Sequence, residues 1–201
     1  MVDDLFAQGG HLVVGMTDTF DTEPPILISS SSIQGQFLAK EFDGDIRRLD
    51  AELDSALTRH QVVATESRDS KALGKLNRYS IGTVAVIGTE ERRYYALAYS
   101  KMRNDYVVES SVSHIWNSLM SLWPVVRDTC HLGTVSIAVV GMGLARLSGR
   151  ISQADMVRLI IISFLTSSRE SDVASHLRIV ISPDAAESID FRRLNDYLAA
   201  Q

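Results

Sequence analysis

The chain has 201 residues, a length that suits one compact domain with a sizeable core. Hydrophobic residues make up 45% and charged residues 22%, which excludes a disordered chain. The net charge of −5 argues against DNA or RNA as the main partner, and the single cysteine, Cys130, excludes an internal disulfide and a cysteine-rich zinc site. Cys130 reads as a helix-packing residue.

Residues 1–6 (MVDDLF) lead through Gly9-Gly10 directly into a strand over 12–16. So abrupt a start predicts a domain taken from a longer protein. Residues 17–25 (TDTFDTEPP) form a polar loop closed by two prolines, which cannot continue a ladder. A short strand is expected over 26–28, and the serines 29–32 with Gln34 and Gly35 read as loop. Asp43-Gly44-Asp45 then caps a helix. Its Ile46, Leu49, Leu53 and Leu57 share one face, with Arg47, Arg48, Asp50, Glu52 and Asp54 in solvent. A short strand over 61–65 precedes the polar run 66–78 (ESRDSKALGKLNR), which reads as a mobile surface loop.

Strands over 81–87 and 94–100 flank the turn Gly88-Thr89-Glu90-Glu91 and predict a hairpin. The next helix starts at a Ser110/Ser111 cap. Val112, Ile115, Trp116, Leu119, Met120 and Trp123 fall on one face, a core stripe rather than a base-stacking box. Pro124 should kink or end that helix. A buried strand over 135–140 runs into Gly141-Met142-Gly143-Leu144-Ala145-Arg146. Backbone amides freed at such a turn, with an arginine alongside, suit a phosphate or pyrophosphate. Ser152-Gln153-Ala154-Asp155 starts a further helix whose residues 156–165 are apolar almost all round, predicting deep burial. The longest apolar run, 159–165, is far below the roughly 20 residues of a membrane span. A strand over 177–182 and a short amphipathic helix over 189–198 close the chain. This alternation, with a hairpin in the middle, predicts an α/β fold of three α/β/α layers around a mixed sheet.

Most familiar chemistries fail on these residues. A dinucleotide-binding Rossmann turn needs a third glycine, where Arg146 stands, and an acid about 20 residues on. There is no Gly-Lys-Ser/Thr for a phosphate loop of the Walker type. His11, His60, His114, His131 and His176 show no metal-ligand spacing, and no serine sits in a nucleophile elbow. Anion binding without obvious chemistry remains. Two parallel central strands would bring the loop at 17–23 to the same sheet edge as the glycine turn.

Taken together, these pieces resemble a macro domain, and more closely the macro-like ligand-sensing domain of Thoeris anti-phage defence effectors. The resemblance is carried in order by residues 4–6, 12–22, 33–35, 79–85, 96–101, 119–123, 139–146 and 179–182. It implies a single macro-domain-like unit over residues 1–201 with an ADP-ribose-type pocket. Asp4 would accept from the adenine amino group, with Leu5 and Phe6 alongside. Gly141, Met142, Gly143, Leu144, Ala145 and Arg146 would wrap the pyrophosphate, and Thr17, Asp18, Thr19, Phe20 and Asp21 would face the distal ribose. Gln34 and Lys101, from the matched segments, complete the implied binding set. Residues 16–21 (MTDTFD) depart from the Asn-Ala-Ala-Asn element of ordinary macro domains. The asparagine that orients the distal ribose and its water is missing, which argues against ADP-ribosyl hydrolysis and suits a ligand altered at its distal end.

By the same resemblance the ligand is ADP-ribose joined to histidine, made from NAD by a partner enzyme with a TIR domain. The domain is expected to bind without catalytic residue, metal or cofactor. Asp18 or Asp21, together with Glu23, is expected to pair with the cationic distal group. The longer protein is expected at the inner membrane through an N-terminal segment, with this domain in the cytoplasm; self-association stays open. An ADP-ribosyl hydrolase and a reader of ADP-ribosylated protein are the alternatives.

Overall fold

In the computed structural model, which describes residues 1–139, 151–187 and 189–199, the apolar run after Gly10 becomes the central strand β1 (His11–Thr17). Two helices follow, α1 (Ile33–Glu41) and α2 (Ile46–Leu57). Asp45 caps α2 by accepting the Arg48 amide at 3.1 Å, and Leu49, Leu53 and Leu57 form its buried stripe. Strands β2 (Val62–Thr65) and β3 (Asn77–Tyr79) pair as a small antiparallel sheet of their own. The expected hairpin is present as β4 (Val84–Gly88) and β5 (Arg93–Met102), and β6 (Val108–Glu109) folds back on β5. Then come α3 (Val112–Thr129), β7 (Thr134–Ala138), α4 (Gln153–Glu170), β8 (His176–Val180), α5 (Pro183–Ala186) and α6 (Phe191–Ala199).

The main sheet runs β4-β5-β1-β7-β8. β5, β1, β7 and β8 are mutually parallel and β4 is antiparallel, so the sheet is mixed as expected. Alternation along β1 sends Leu12, Val14 and Met16 toward α1 and α2, and Val13 toward α3 and α4. β5 alternates likewise, with Tyr94, Ala96 and Ala98 on the first face and Tyr95 and Leu97 on the second. A strand buried on both faces must be apolar throughout, which is why β1 shows no polar alternation. Residues 1–3 lie along the outer edge of β8: the Met1 amino group donates to the Ile179 carbonyl at 2.8 Å, and Val2 bridges Ile181.

Several local expectations are corrected. Residues 26–28 form a turn, and Leu27 and Ile28 are buried against the core without a strand partner. Gln34 and Gly35 belong to α1, because Ser32 caps that helix by accepting the Gly35 amide at 3.1 Å. Gly35 is required there, since a Cβ would collide with the backbone of Ser29 and Ser30. Pro124 does not end α3: the fully buried Trp123 and Val126 pin both sides of it, and Trp123 Nε1 donates to Ser163 Oγ at 2.9 Å. Packing therefore outweighs the roughly 3 kcal/mol a proline costs inside a helix. α4 is buried along a stripe through Met156, Val157, Ile160 and Ile161, while Ile162 remains exposed. Cys130 packs as expected, its thiol donating to the Val173 carbonyl at 3.1 Å.

His11 joins the start of β1 to β5, its Nδ1 accepting the Arg93 amide at 3.1 Å. Burial holds its pKa below the ordinary value of 6.5, and nearby Arg93, His131 and Arg92 act in the same direction. The unfolded chain therefore binds a proton before the fold does. The contribution of neutral His11 to stability is present above pH 6.5 and is lost as the pH falls below that value. Urea midpoints at about pH 7.5 and about pH 5.5 should show the loss. His11→Asn, which keeps an acceptor for Arg93, should reduce it.

Candidate functional site

Because β1, β7 and β8 run parallel, their carboxyl ends open on one edge. A cleft of about 730 Å³ lies there. Its walls come from the first residues (Val2, Asp3, Asp4 and Leu5), from Ile33 and Gln36 of α1, from Ala138 and Val139, from Gln153 and from Ser182 with Pro183. Asp4 opens a short 3-10 turn (Leu5–Ala7) and accepts the Phe6 amide at 3.0 Å. Its other oxygen meets the Lys40 ammonium. That hydrogen bond, with the Phe6 amide, holds the Asp4 carboxyl below the usual range, so it is a carboxylate at neutral pH. Asp3 is fixed by accepting the Asp4 amide and Gln8 Nε2, both at 2.8 Å.

The sequence-assigned residues divide. Asp4 and Leu5 line the cleft. Phe6 turns away and stacks on Phe37, ring centroids 6.4 Å apart. Gln34 donates through Nε2 to the Asp21 carbonyl, tying α1 to the loop after β1. Lys101 is exposed on β5, opposite Glu109 of β6, away from the cleft. Gly141, Met142, Gly143, Leu144, Ala145 and Arg146 lie outside the described residues. Gln36, Gln153 and Ser182 also line the cleft, though the sequence assigns none of them a binding role.

The acidic loop departs most from expectation. Thr17, Asp18, Thr19, Phe20 and Asp21 are all buried, and the carboxylates are engaged inside the protein. Asp18 accepts the Met102 amide at 2.8 Å and Arg78 Nη1 at 2.9 Å. Arg78 also holds Glu66 at 2.6 Å and pulls that carboxyl down to about 2. Asp21 accepts from Lys71 Nζ at 2.8 Å and from the Thr19 hydroxyl at 2.6 Å, and Asp21 and Lys71 have no exposed side-chain surface. Thr19 in turn shares a hydrogen bond with Thr17 at 3.1 Å. Phe20, at φ 52, sits in the left-handed region inside this network. The segment expected as a mobile surface loop thus supplies the cations that claim both acids. Asp18 and Asp21 do not present a free carboxylate to a ligand; Glu23 is the acid of this stretch that stays exposed. Together with Thr19 and Asp21 it lines a second, polar cavity of about 700 Å³ between the loop, α2 and the β2–β3 pair.

Solved macrodomain structures share this architecture. The Oceanobacillus iheyensis macrodomain with MES bound aligns at a TM-score of 0.64 and 11% identity, covering 99% of this chain and 90% of that one. The macrodomain of Mycobacterium tuberculosis DarG aligns at 0.57 and 15% identity, covering 91% and 95%. A mutant Oceanobacillus iheyensis macrodomain with ADPR aligns at 0.57 and 9% identity, covering 100% and 92%. At such identities the likeness concerns fold, and the fold is that of a macrodomain. The family is narrower than the fold: residues 1–182 match the model of the macro domain of Thoeris protein ThsA, and the chain belongs to that family. A comparison with curated proteins finds no match.

Removing one partner of the Asp21–Lys71 pair leaves a buried charge uncompensated. Lys71→Met should cost about 3–5 kcal/mol in urea unfolding, and adding Asp21→Asn should recover part of that loss.

Proposed function

We propose that this domain senses a nucleotide signal derived from NAD, ADP-ribose joined to histidine, and does not turn it over. The observation that carries the reading is the ionised Asp4 in the wall of a nucleotide-sized cleft, at the carboxyl edge of parallel strands. Open α/β sheets take their ligands in such crevices. Membership of the Thoeris ThsA macro family and the ADPR held by a macrodomain of the same fold support it. In this reading the adenine amino group donates to Asp4, beside Leu5. The pyrophosphate falls to residues 141–146, which follow in sequence from Val139 of the cleft wall. A partner enzyme with a TIR domain supplies the signal. Binding then switches on an anti-phage effector held at the inner membrane by a segment outside this domain.

The distal group of the ligand needs an acid that the fold has not already neutralised. In this reading Glu23, which lines the second cavity rather than the cleft, takes that role in place of Asp18 and Asp21.

Calorimetry tests both ends. Asp4→Ala should weaken ADP-ribose and its histidine conjugate alike, by about 10- to 100-fold, the worth of a hydrogen bond to a charged group. Glu23→Gln should weaken the conjugate several-fold and leave plain ADP-ribose unchanged. Release of free ADP-ribose from the conjugate on incubation with the domain would make it a hydrolase and end the sensor reading.

A further inference from the structure

Gln153 carries a buried side-chain oxygen, Oε1, with no hydrogen-bond partner among the described residues, and it stands in the same cleft wall as Asp4. It is the first residue of α4, directly behind the Ser152 cap, whose hydroxyl accepts the Asp155 amide at 3.1 Å. An acceptor withdrawn from water and bonded to nothing is unfavourable in the ligand-free domain. Folded proteins keep few such groups, and a use at a functional site is a leading reason to keep one.

The amide's chemistry indicates what would satisfy it. A glutamine offers an acceptor and two donors side by side. The matching partner is an edge with a donor and an acceptor adjacent, and glutamine pairs in two-point fashion with the 6-amino and N7 groups of adenine. We infer that Gln153 is the residue that selects the base, its amide lying along the N7 edge of the purine. Oε1 accepts one amino hydrogen and Nε2 donates to N7, while Asp4 accepts the other amino hydrogen. The inference rests on the ADP-ribose reading given above. The terminal torsion of glutamine is broad, and no bond from a described residue restrains this oxygen, so a modest rotation turns it into the cleft. Two acceptors then converge on a group that has two hydrogens. A purine with an oxygen at position 6 turns lone pairs toward both and is rejected.

Three nucleotides decide the matter by calorimetry: ADP-ribose, its 7-deaza analogue and its hypoxanthine analogue. The wild-type domain should prefer ADP-ribose to the 7-deaza form by about tenfold, and to the hypoxanthine form by more. Gln153→Leu should bind ADP-ribose and the 7-deaza form equally. Its ligand-free thermal midpoint should hold or rise, since an unpaired buried oxygen has gone. Gln153→Glu keeps the length but turns an acceptor toward N7, so it should lose more affinity for ADP-ribose than for the 7-deaza form. Equal binding of those two nucleotides by the wild type overturns the inference, as does an intact preference in either variant. A wild-type domain that binds none of the three withdraws the ADP-ribose reading itself.

Discussion

An ammonium and a carboxylate with no exposed side-chain surface, Lys71 and Asp21, join the loop after β1 to the segment that precedes β3. Leaving either ion alone in that interior would cost several kcal/mol, so neither segment can take its place without the other. The pairing is reinforced on both sides. Thr19 donates to Asp21, the Lys75 amide does the same, and Lys71 also donates to the Lys75 carbonyl at 2.6 Å. Gly74 makes the approach feasible: at φ +75 it turns the chain toward Asp21, and a side chain there would strike the carboxylate. Phe20 is held in a strained conformation by the same enclosure. The network spends its acids on architecture, which leaves Asp18 and Asp21 without a free carboxylate.

Much of the layer structure was legible from local pattern. The runs that became β1, β4 and β5 were apolar on both faces or alternated. The helical stripes of α2 and α3 were spaced for one face, and the caps Asp45, Ser111 and Ser152 all fell where they were read. Pattern failed where a distant partner decided the outcome. Asp18 and Asp21 sit in a polar, turn-rich stretch that looks open to solvent, but the cations that claim them lie 60 and 50 residues further along the chain. No periodicity marks Lys71 as buried, because its burial is a property of the pair. The serine run concealed a cap for the same kind of reason, since its flanking apolar residues belong to different elements.

The cleft was half legible. Asp4 and Leu5 came from resemblance, while the glycine turn, read from its own residues as a phosphate cradle, lies outside the described residues. Gln36, Gln153 and Ser182 are brought to the cleft by the order of β1, β7 and β8, which composition does not encode. What the geometry adds is a division of labour around one wall. Asp4 is held as an anion by Lys40 and the Phe6 amide yet stays partly exposed, with 43% of its side chain accessible. Charge is thereby stabilised without being removed from solvent, as an acceptor for a neutral amino group requires.

The first three residues have a consequence beyond recognition. They run beside the outer strand of the sheet, with the Asp3 amide donating to the Ile181 carbonyl at 3.1 Å and the Ile181 amide donating to Met1 at 2.9 Å. An uncovered strand edge invites pairing with another copy of the chain, the starting point of edge-to-edge aggregation. Here the segment that walls the cleft also guards that edge. Loss of those few residues would open one wall of the cleft and unmask a self-association surface in the same stroke.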